Sequence, residues 1–253
     1  MKRIDLNCDM GEDFGVYRNS LDSELMKYIT SANIACGFHA GDAATIRRTV
    51  KLALANGVAI GAHPGLPDLS GFGRRAMAIT PEEAYEMTVY QLGAVQAFAQ
   101  SEGGGLAHVK PHGALYNMAA KDRRLADAIA EAVYRVNPGL LLFGLAGSAL
   151  IHAGHAIGLR TVNEVFADRA YESDGTLAPR GSDGAVIADA ALAAEQAIGM
   201  VKFGEVRTRQ RGSIPVQADT VCVHGDTPGA LQQVRQLREA LAAEGIAVRK
   251  AGE

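Results

Sequence analysis

The sequence predicts an α/β fold, a (β/α) barrel of about seven parallel strands forming a single domain over residues 1–253. Seven short apolar runs alternate with amphipathic helical patterns, and such alternation implies parallel strands joined by right-handed crossovers. The runs end in polar, chemistry-capable residues or in small-residue turns, as expected where barrel strands deliver side chains to one rim. A doubly wound open sheet would satisfy the same alternation. The absence of a G-x-G-x-x-G fingerprint after the first run weakens its dinucleotide-binding version.

The first run is IDLNCDMGE (residues 4–12). It is followed by SANIACGFHAGD (31–42), whose Asp42 reads as the N-cap of a helix that stops at Gly57. After VAIGAHPG (58–65) comes the clearest helix. Thr80 is its cap, Pro81 its first helical position and Glu83 completes a capping box. Ala84, Met87, Leu92, Val95 and Phe98 form its apolar stripe, and Gly103–Gly105 ends it. The remaining runs are LAHVKPHGALYN (106–117), LLLFGLAGS (140–148), TVNEVFADR (161–169) and TVCVHGD (220–226). Helices are expected over 121–136, 148–156, 183–200 and 227–244, the last repeating the cap-then-proline start at Thr227-Pro228. VRTRQRGSIPV reads as a small hairpin before the last strand. Three long connections, 11–20, 64–79 and 170–182, follow strand ends and are candidates for substrate binding and gating.

Composition narrows the function classes. A chain of 253 residues with 48% hydrophobic and 21% charged residues reads as soluble and globular. A net charge of −3 without a basic stripe or polybasic cluster argues against nucleic acid and membrane surfaces as partners. No apolar run reaches the ~18 residues of a membrane span, and the acidic start lacks a signal-peptide core. Cys8, Cys36 and Cys222 form no CxxC pair, so free thiols in a reducing cytoplasmic setting are expected.

Buried parallel strands are normally apolar throughout. Here Asp5, Asn7 and Asp9 share one face of the first run. His108, Lys110 and His112 share one face of the fourth, Glu164 and Asp168 of the sixth, and Cys222 and His224 of the last. In a barrel these faces can converge inward. The groups suit attack of water on a carbonyl-like carbon. Asp9, Glu164 or Asp168 is the candidate base. Lys110 or a histidine, with His112 and His224 among them, would stabilise the oxyanion or protonate the leaving group. The candidate substrate-binding set is Asp5, Asn7, Asn33, His39, His63, Arg74 and Arg169. Within it, Asn33 also reads as a tie for backbone groups, His63 as a turn histidine, and Arg74-Arg75 as a solvated loop pair. Asp9, His63, His112 and His224 offer donors for a mixed divalent-metal site. No HxxxH or HExxH spacing supports one, so the expectation is a site without metal. Neither a G-x-S-x-G elbow nor a G-x-x-x-x-G-K-[ST] loop is present, which leaves a covalent serine mechanism and a conventional ATP site unsupported.

DLNCDMGE, NIACGFHAGD, GAHPG, GFGRR, VKPHGALYN, EVFADR and CVHGD, in this order, closely resemble the lactam-utilisation protein family, the A subunit of bacterial ATP-dependent 5-oxoprolinase. The match runs from about Ile4 to Asp226. The resemblance implies a seven-stranded barrel like those of polysaccharide deacetylases and glycoside hydrolases. It also implies hydrolysis of 5-oxoproline to L-glutamate coupled to ATP hydrolysis, in a complex with subunits B and C. Because the substrate is a small carboxylate, Arg169, directly after Asp168, is the favoured clamp, with Arg74, Arg75 and Arg180 as alternatives. A metal-dependent deacetylase acting alone and a non-catalytic subunit that only binds substrate are the rival readings.

Overall fold

The computed structural model describes residues 2–18, 21–223, 225 and 229–253. The elements in chain order are β1 (Arg3–Met10), α1 (Asp22–Leu25), β2 (Ser31–Ala35), α2 (Ala43–Ala55), β3 (Ala59–His63), α3 (Pro81–Ser101), β4 (Leu106–Val109), α4 (Gly113–Lys121), α5 (Arg123–Val136), β5 (Leu141–Leu145), α6 (Ala149–Ile157), β6 (Arg160–Phe166), α7 (Ala190–Phe203), β7 (Glu205–Arg207), β8 (Ser213–Pro215), β9 (Thr220–Val223), α8 (Ala230–Ala243) and β10 (Ala247–Val248). The parallel order β1-β2-β3-β4-β5-β6-β9 returns to β1, closing a barrel of seven strands. The short β10 pairs with the start of β1, and β7 and β8 form the expected antiparallel hairpin.

Local chemistry fixes the helix starts. Thr80 and Glu83 make the capping box of α3, and Asp42, Asp122, Ser148 and Asp189 cap α2, α5, α6 and α7 through side-chain oxygens that accept first-turn N–H groups. Two boundaries differ from the sequence expectation, and a third lies outside the described residues. The fourth run is strand only to Val109, because Pro111 has no N–H to donate and His112 and Gly113 (φ 52°) turn the chain into α4. The backbone of Lys110 and His112 still donates to the carbonyls of Ala62 and Pro64, so it runs on beside β3. Helix α7 starts at Ala190 rather than near 183, because the preceding segment is held extended by an Arg169–Val186 bridge and by the Ile187 N–H on the Asp168 carbonyl. Helix α8 is described from Ala230; the Thr227-Pro228 start expected for it lies outside the described residues.

The main core lies between barrel and helices. Leu6, Cys8, Ile34, Ile60, Ala62, Val109, Leu142, Val165, Val221 and Val223 belong to it, all buried. A separate small cluster of Leu141, Phe143 and Val162 fills the lumen at the strands' starting end. The fifth run, which carries no reactive group, thus supplies part of the barrel's apolar plug. Above that plug the lumen is polar. Among the described residues, no helix is long and apolar enough to cross a membrane.

Gly61 on β3 leaves the space that the His108 ring fills. A Cβ there would sit 2.0 Å from His108 Nε2. Gly61→Ala should destabilise the fold by about 1–3 kcal/mol or more through overpacking. Gly93→Ala, in open space on α3, should be neutral or stabilising by up to about 1 kcal/mol. Urea denaturation of the two variants beside the parent measures both.

Candidate active site at the C-terminal end of the barrel

The alternating polar residues of β1 mount the lumen in steps. Asp5 is lowest. Its carboxylate accepts from Thr30 Oγ1 and Ser31 Oγ, each at 2.7 Å, and from Thr220 Oγ1. Burial raises its pKa and these hydroxyl donors oppose the rise. Asp5 thereby ties β1 to β2 and β9, and it does not border the cavity described below. Asn7 is next: its Oδ1 accepts from Asn33 Nδ2 at 2.8 Å and Lys110 Nζ at 3.1 Å, and its Nδ2 donates to Thr220 Oγ1 at 2.8 Å. Asn33 also donates to Asp9 Oδ1 at 2.9 Å. His108 Nε2 donates to Asn33 Oδ1 at 2.8 Å, and the His108 ring stacks on Phe143 with centroids 4.3 Å apart. Burial pushes the His108 pKa down to about 3, so this imidazole is a neutral structural donor.

Lys110 occupies the centre of the top layer. Its ammonium lies 2.8 Å from Glu164 Oε1, 3.0 Å from Asp9 Oδ1 and 3.1 Å from Cys222 Sγ. Burial alone would strip the charge from a lysine. Here the carboxylates of Asp9 and Glu164 outweigh burial and hold the Lys110 pKa above the ordinary lysine value. Burial pushes the Cys222 thiol up well beyond its usual range, so it faces Lys110 as a thiol. Phe166 covers the ammonium, its ring centroid 5.6 Å away.

Beside this lysine stand three buried imidazoles. His63 Nδ1 donates to the Lys110 carbonyl at 2.7 Å, and His112 Nε2 donates to the Phe72 carbonyl at 2.8 Å. The ring atoms left over, His63 Nε2 and His112 Nδ1, lie 2.9 Å apart, with Asp9 Oδ2 3.2 Å from the former. His39 stacks on His112 with centroids 3.7 Å apart, and Glu12 Oε1 lies 3.4 Å from His39 Nε2 and 3.6 Å from His112 Nδ1. Burial pushes the pKa values of His39 and His112 well below the usual histidine range, with the neighbouring imidazoles adding to the fall. Glycines make the room: a Cβ on Gly65 would be 2.5 Å from His39 Nδ1, and one on Gly73 (φ +62°) 2.9 Å from His112 Cδ2. Glu12, His39, His63 and His112 bring four donor atoms within 4.8 Å of one another, a group able to hold a metal ion.

A cavity of about 590 Å³ opens above these groups. Asp9, His63, Lys110 and His112 form its floor, Leu145, Phe166 and Leu177 part of its wall, and Arg74, Lys121, Arg169 and Arg180 bring positive charge to it. Two of the three long connections reach it, through Arg74 and Ala76 and through Thr176–Arg180; the first long connection contributes Glu12 to the imidazole group. The arginine pair divides. Arg74 lies over the Phe72 ring, 4.9 Å from its centroid, whereas Arg75 is bound to Asp68 and Ser70. Arg169 is buried and donates to the Ala178 and Ala185 carbonyls; burial, with Arg180 close by, lowers its pKa to about 10.

The sequence-derived candidates therefore fall into groups. Asp9, Lys110, His63, His112, Arg74 and Arg169 line the cavity. Asn7, Asn33 and Glu164 support its floor from beneath. Asp168 is buried just beyond β6 and does not line the cavity. His39 stands behind His112. His224, proposed from sequence as catalytic, lies outside the described residues. Sequence reasoning missed Glu12 as a member of the imidazole group; its place in the turn directly after β1 was the available signal. His152 and His155 are exposed on α6, away from the cavity.

A family model described as LamB/YcsF family matches residues 4–253. The 5-oxoprolinase A subunit of Brevibacillus brevis is 59% identical over 248 residues, covering 98% of this chain and 98% of its own. The lactam utilization protein of Thermus thermophilus, known from a crystal structure, superposes with a TM-score of 0.92 at 48% identity, covering 98% of this chain and 99% of its own. A family 4 carbohydrate esterase from Streptomyces lividans reaches a TM-score of 0.50 at 11% identity over 98% of this chain and 91% of its own, a likeness of fold alone. The chain belongs to the LamB/YcsF family.

Removing the Lys110 ammonium leaves Asp9 and Glu164 facing each other across a buried gap. Lys110→Met should lower stability by about 3–5 kcal/mol, the usual result of breaking a buried pair from one side. Adding Glu164→Gln should recover part of that loss. Denaturant midpoints for the parent, both single variants and the double variant check this. Additive losses would mean that the two groups are not coupled.

Proposed function

We propose, from membership of the LamB/YcsF family, that this chain is the A subunit of a 5-oxoprolinase. In this reading it carries out water attack and ring opening as 5-oxoproline becomes L-glutamate, in a complex with subunits B and C that couples the reaction to ATP hydrolysis. The observation that carries the reading is the cavity itself: a buried, charged lysine beside a carboxylate on its floor, under arginines able to take a small carboxylate. Full-length relatives such as the Brevibacillus brevis protein support it.

A γ-lactam is an unstrained, resonance-stabilised amide and resists water. Phosphorylating its oxygen makes the ring carbon a far better electrophile. With no G-x-x-x-x-G-K-[ST] loop in this sequence, that activation is assigned to the partner subunits. Of Asp9, Glu164 and Asp168, Asp9 is the carboxylate that borders the cavity, so it is the base. Asp9 takes a proton from water as the oxygen adds to the ring carbon and passes it to the nitrogen as the C–N bond breaks, which leaves γ-glutamyl phosphate; a second water then releases inorganic phosphate and leaves the γ-carboxylate of L-glutamate. Lys110, held charged by its neighbours, stabilises the oxygen that gains negative charge. Glu164 and Asn7 keep Lys110 in position. Arg169 takes the α-carboxylate in bidentate fashion, with Arg74 as second donor. Arg180 and Lys121 leave positive charge for the oxygens of an activated substrate.

Mixing the chain with subunits B and C and following glutamate formation from 5-oxoproline and ATP, each component omitted in turn, tests this. Activity should require all three. Asp9→Asn should lower kcat by roughly 100-fold or more, and Arg169→Ala should act mainly on KM. Glutamate formation without this chain would overturn the reading. Tight binding and turnover of ATP by the isolated chain would overturn the division of labour.

A further inference from the structure

We propose that Glu12, His39, His63 and His112 form a binding site for one divalent transition-metal ion at the edge of the cavity floor, with His63 Nε2, His112 Nδ1, a His39 ring nitrogen and a Glu12 oxygen as ligands. The site goes beyond the ring-opening reading and stands whether or not that reading holds.

Three observations converge on it. The first is tautomeric. A carbonyl oxygen only accepts hydrogen bonds, so the Lys110 carbonyl fixes the proton of His63 on Nδ1, and the Phe72 carbonyl fixes that of His112 on Nε2. The two bare nitrogens then face each other at 2.9 Å. Two imidazole lone pairs at that distance repel unless a cation lies against both. The second is orphaned polarity. His39 is fully buried and neither of its ring nitrogens has a hydrogen-bond partner among the described residues, with Glu12 Oε1 3.4 Å from its Nε2. A buried imidazole without a partner is costly; a metal bond would supply one. The third is support around the ring. Histidines that bind metals almost always give their other N–H to a carbonyl or carboxylate, which sets tautomer and orientation. His63 and His112 both do so through main-chain carbonyls, and Gly65 and Gly73 provide the close packing that keeps His39 and His112 in place.

Donor chemistry narrows the ion. Three neutral imidazoles and one carboxylate suit Zn²⁺, Co²⁺ or a related borderline ion. Mg²⁺ and Ca²⁺ prefer all-oxygen shells. The competing occupant of the gap is a single proton shared by His63 and His112, which would satisfy that pair and leave His39 without a hydrogen bond.

The full-length chain, stripped with a chelator and desalted, is titrated with Co²⁺ while visible absorption is followed, and metal content is measured after desalting. The expected result is saturable uptake of one Co²⁺ per chain with ligand-field bands, displaced by one equivalent of Zn²⁺. The His63→Ala/His112→Ala variant should lose that uptake. Glu12→Gln, which keeps the side-chain shape, should weaken it by roughly tenfold or more, and His152→Ala on the exposed face of α6 should leave it unchanged. Circular dichroism confirms that each variant is folded. Absence of saturable uptake by the folded parent overturns the site in favour of the shared proton. Uptake that both folded cluster variants retain places the ion elsewhere and overturns it equally.

Discussion

The structure depends on one ion pair system inside a barrel. A (β/α) barrel ordinarily fills its lumen with apolar layers. Here only the starting end is filled that way, by Leu141, Phe143 and Val162, and the rest is held by a polar column ending in Lys110. A lone ammonium at that depth would lose its proton or unfold the site. Asp9 and Glu164 keep it charged, while Asn33 donates to the oxygens of Asn7 and Asp9 and accepts from His108. The column contributes little net stability by itself, because desolvation of its charges offsets their attraction. It does fix where positive charge meets the cavity.

The same strands carry two systems of different character. The lysine system is charged and looks into the cavity from below. The imidazole system stands beside it and is aligned by main-chain carbonyls of Lys110 and Phe72. Asp9 touches both, 3.0 Å from Lys110 Nζ and 3.2 Å from His63 Nε2. A change at either system therefore reaches Asp9. The loops complete the arrangement: the turn after β1 supplies Glu12, and the connection after β3 supplies both Arg74 and the Phe72 carbonyl.

Much of this was legible in the sequence because parallel barrels force a simple rule. Polar residues at period two on a buried strand have only the lumen to enter, so Asp5, Asn7 and Asp9 declared their direction, and His108 with Lys110 declared theirs. What strand phase does not encode is height. Asp5 and Asp9 share a face, yet Asp5 lies deep as a tie between strands while Asp9 borders the cavity. Nor does phase reach into turns. Glu12 and the carbonyl of Phe72 enter the imidazole group through loop geometry, and the pairing of His39 with His112 depends on glycines at positions 65 and 73 that leave space for their rings. The start of α7 was misplaced for a related reason: its helical pattern runs on into a segment that tertiary pairing with Arg169 holds extended.

In the proposed reaction the ring carbon of 5-oxoproline meets the Asp9–Lys110 floor while its carboxylate stays at the arginines. The decisive measurement is a crystal structure of the chain with 5-oxoproline bound. The ring is expected in the cavity above β1 and β4, its carbonyl group toward Lys110, Asp9 on the side from which water adds, and its carboxylate on Arg169. A ring bound outside this cavity, or turned so that its carboxylate rests on Lys110, would rule out these roles for Asp9 and Lys110.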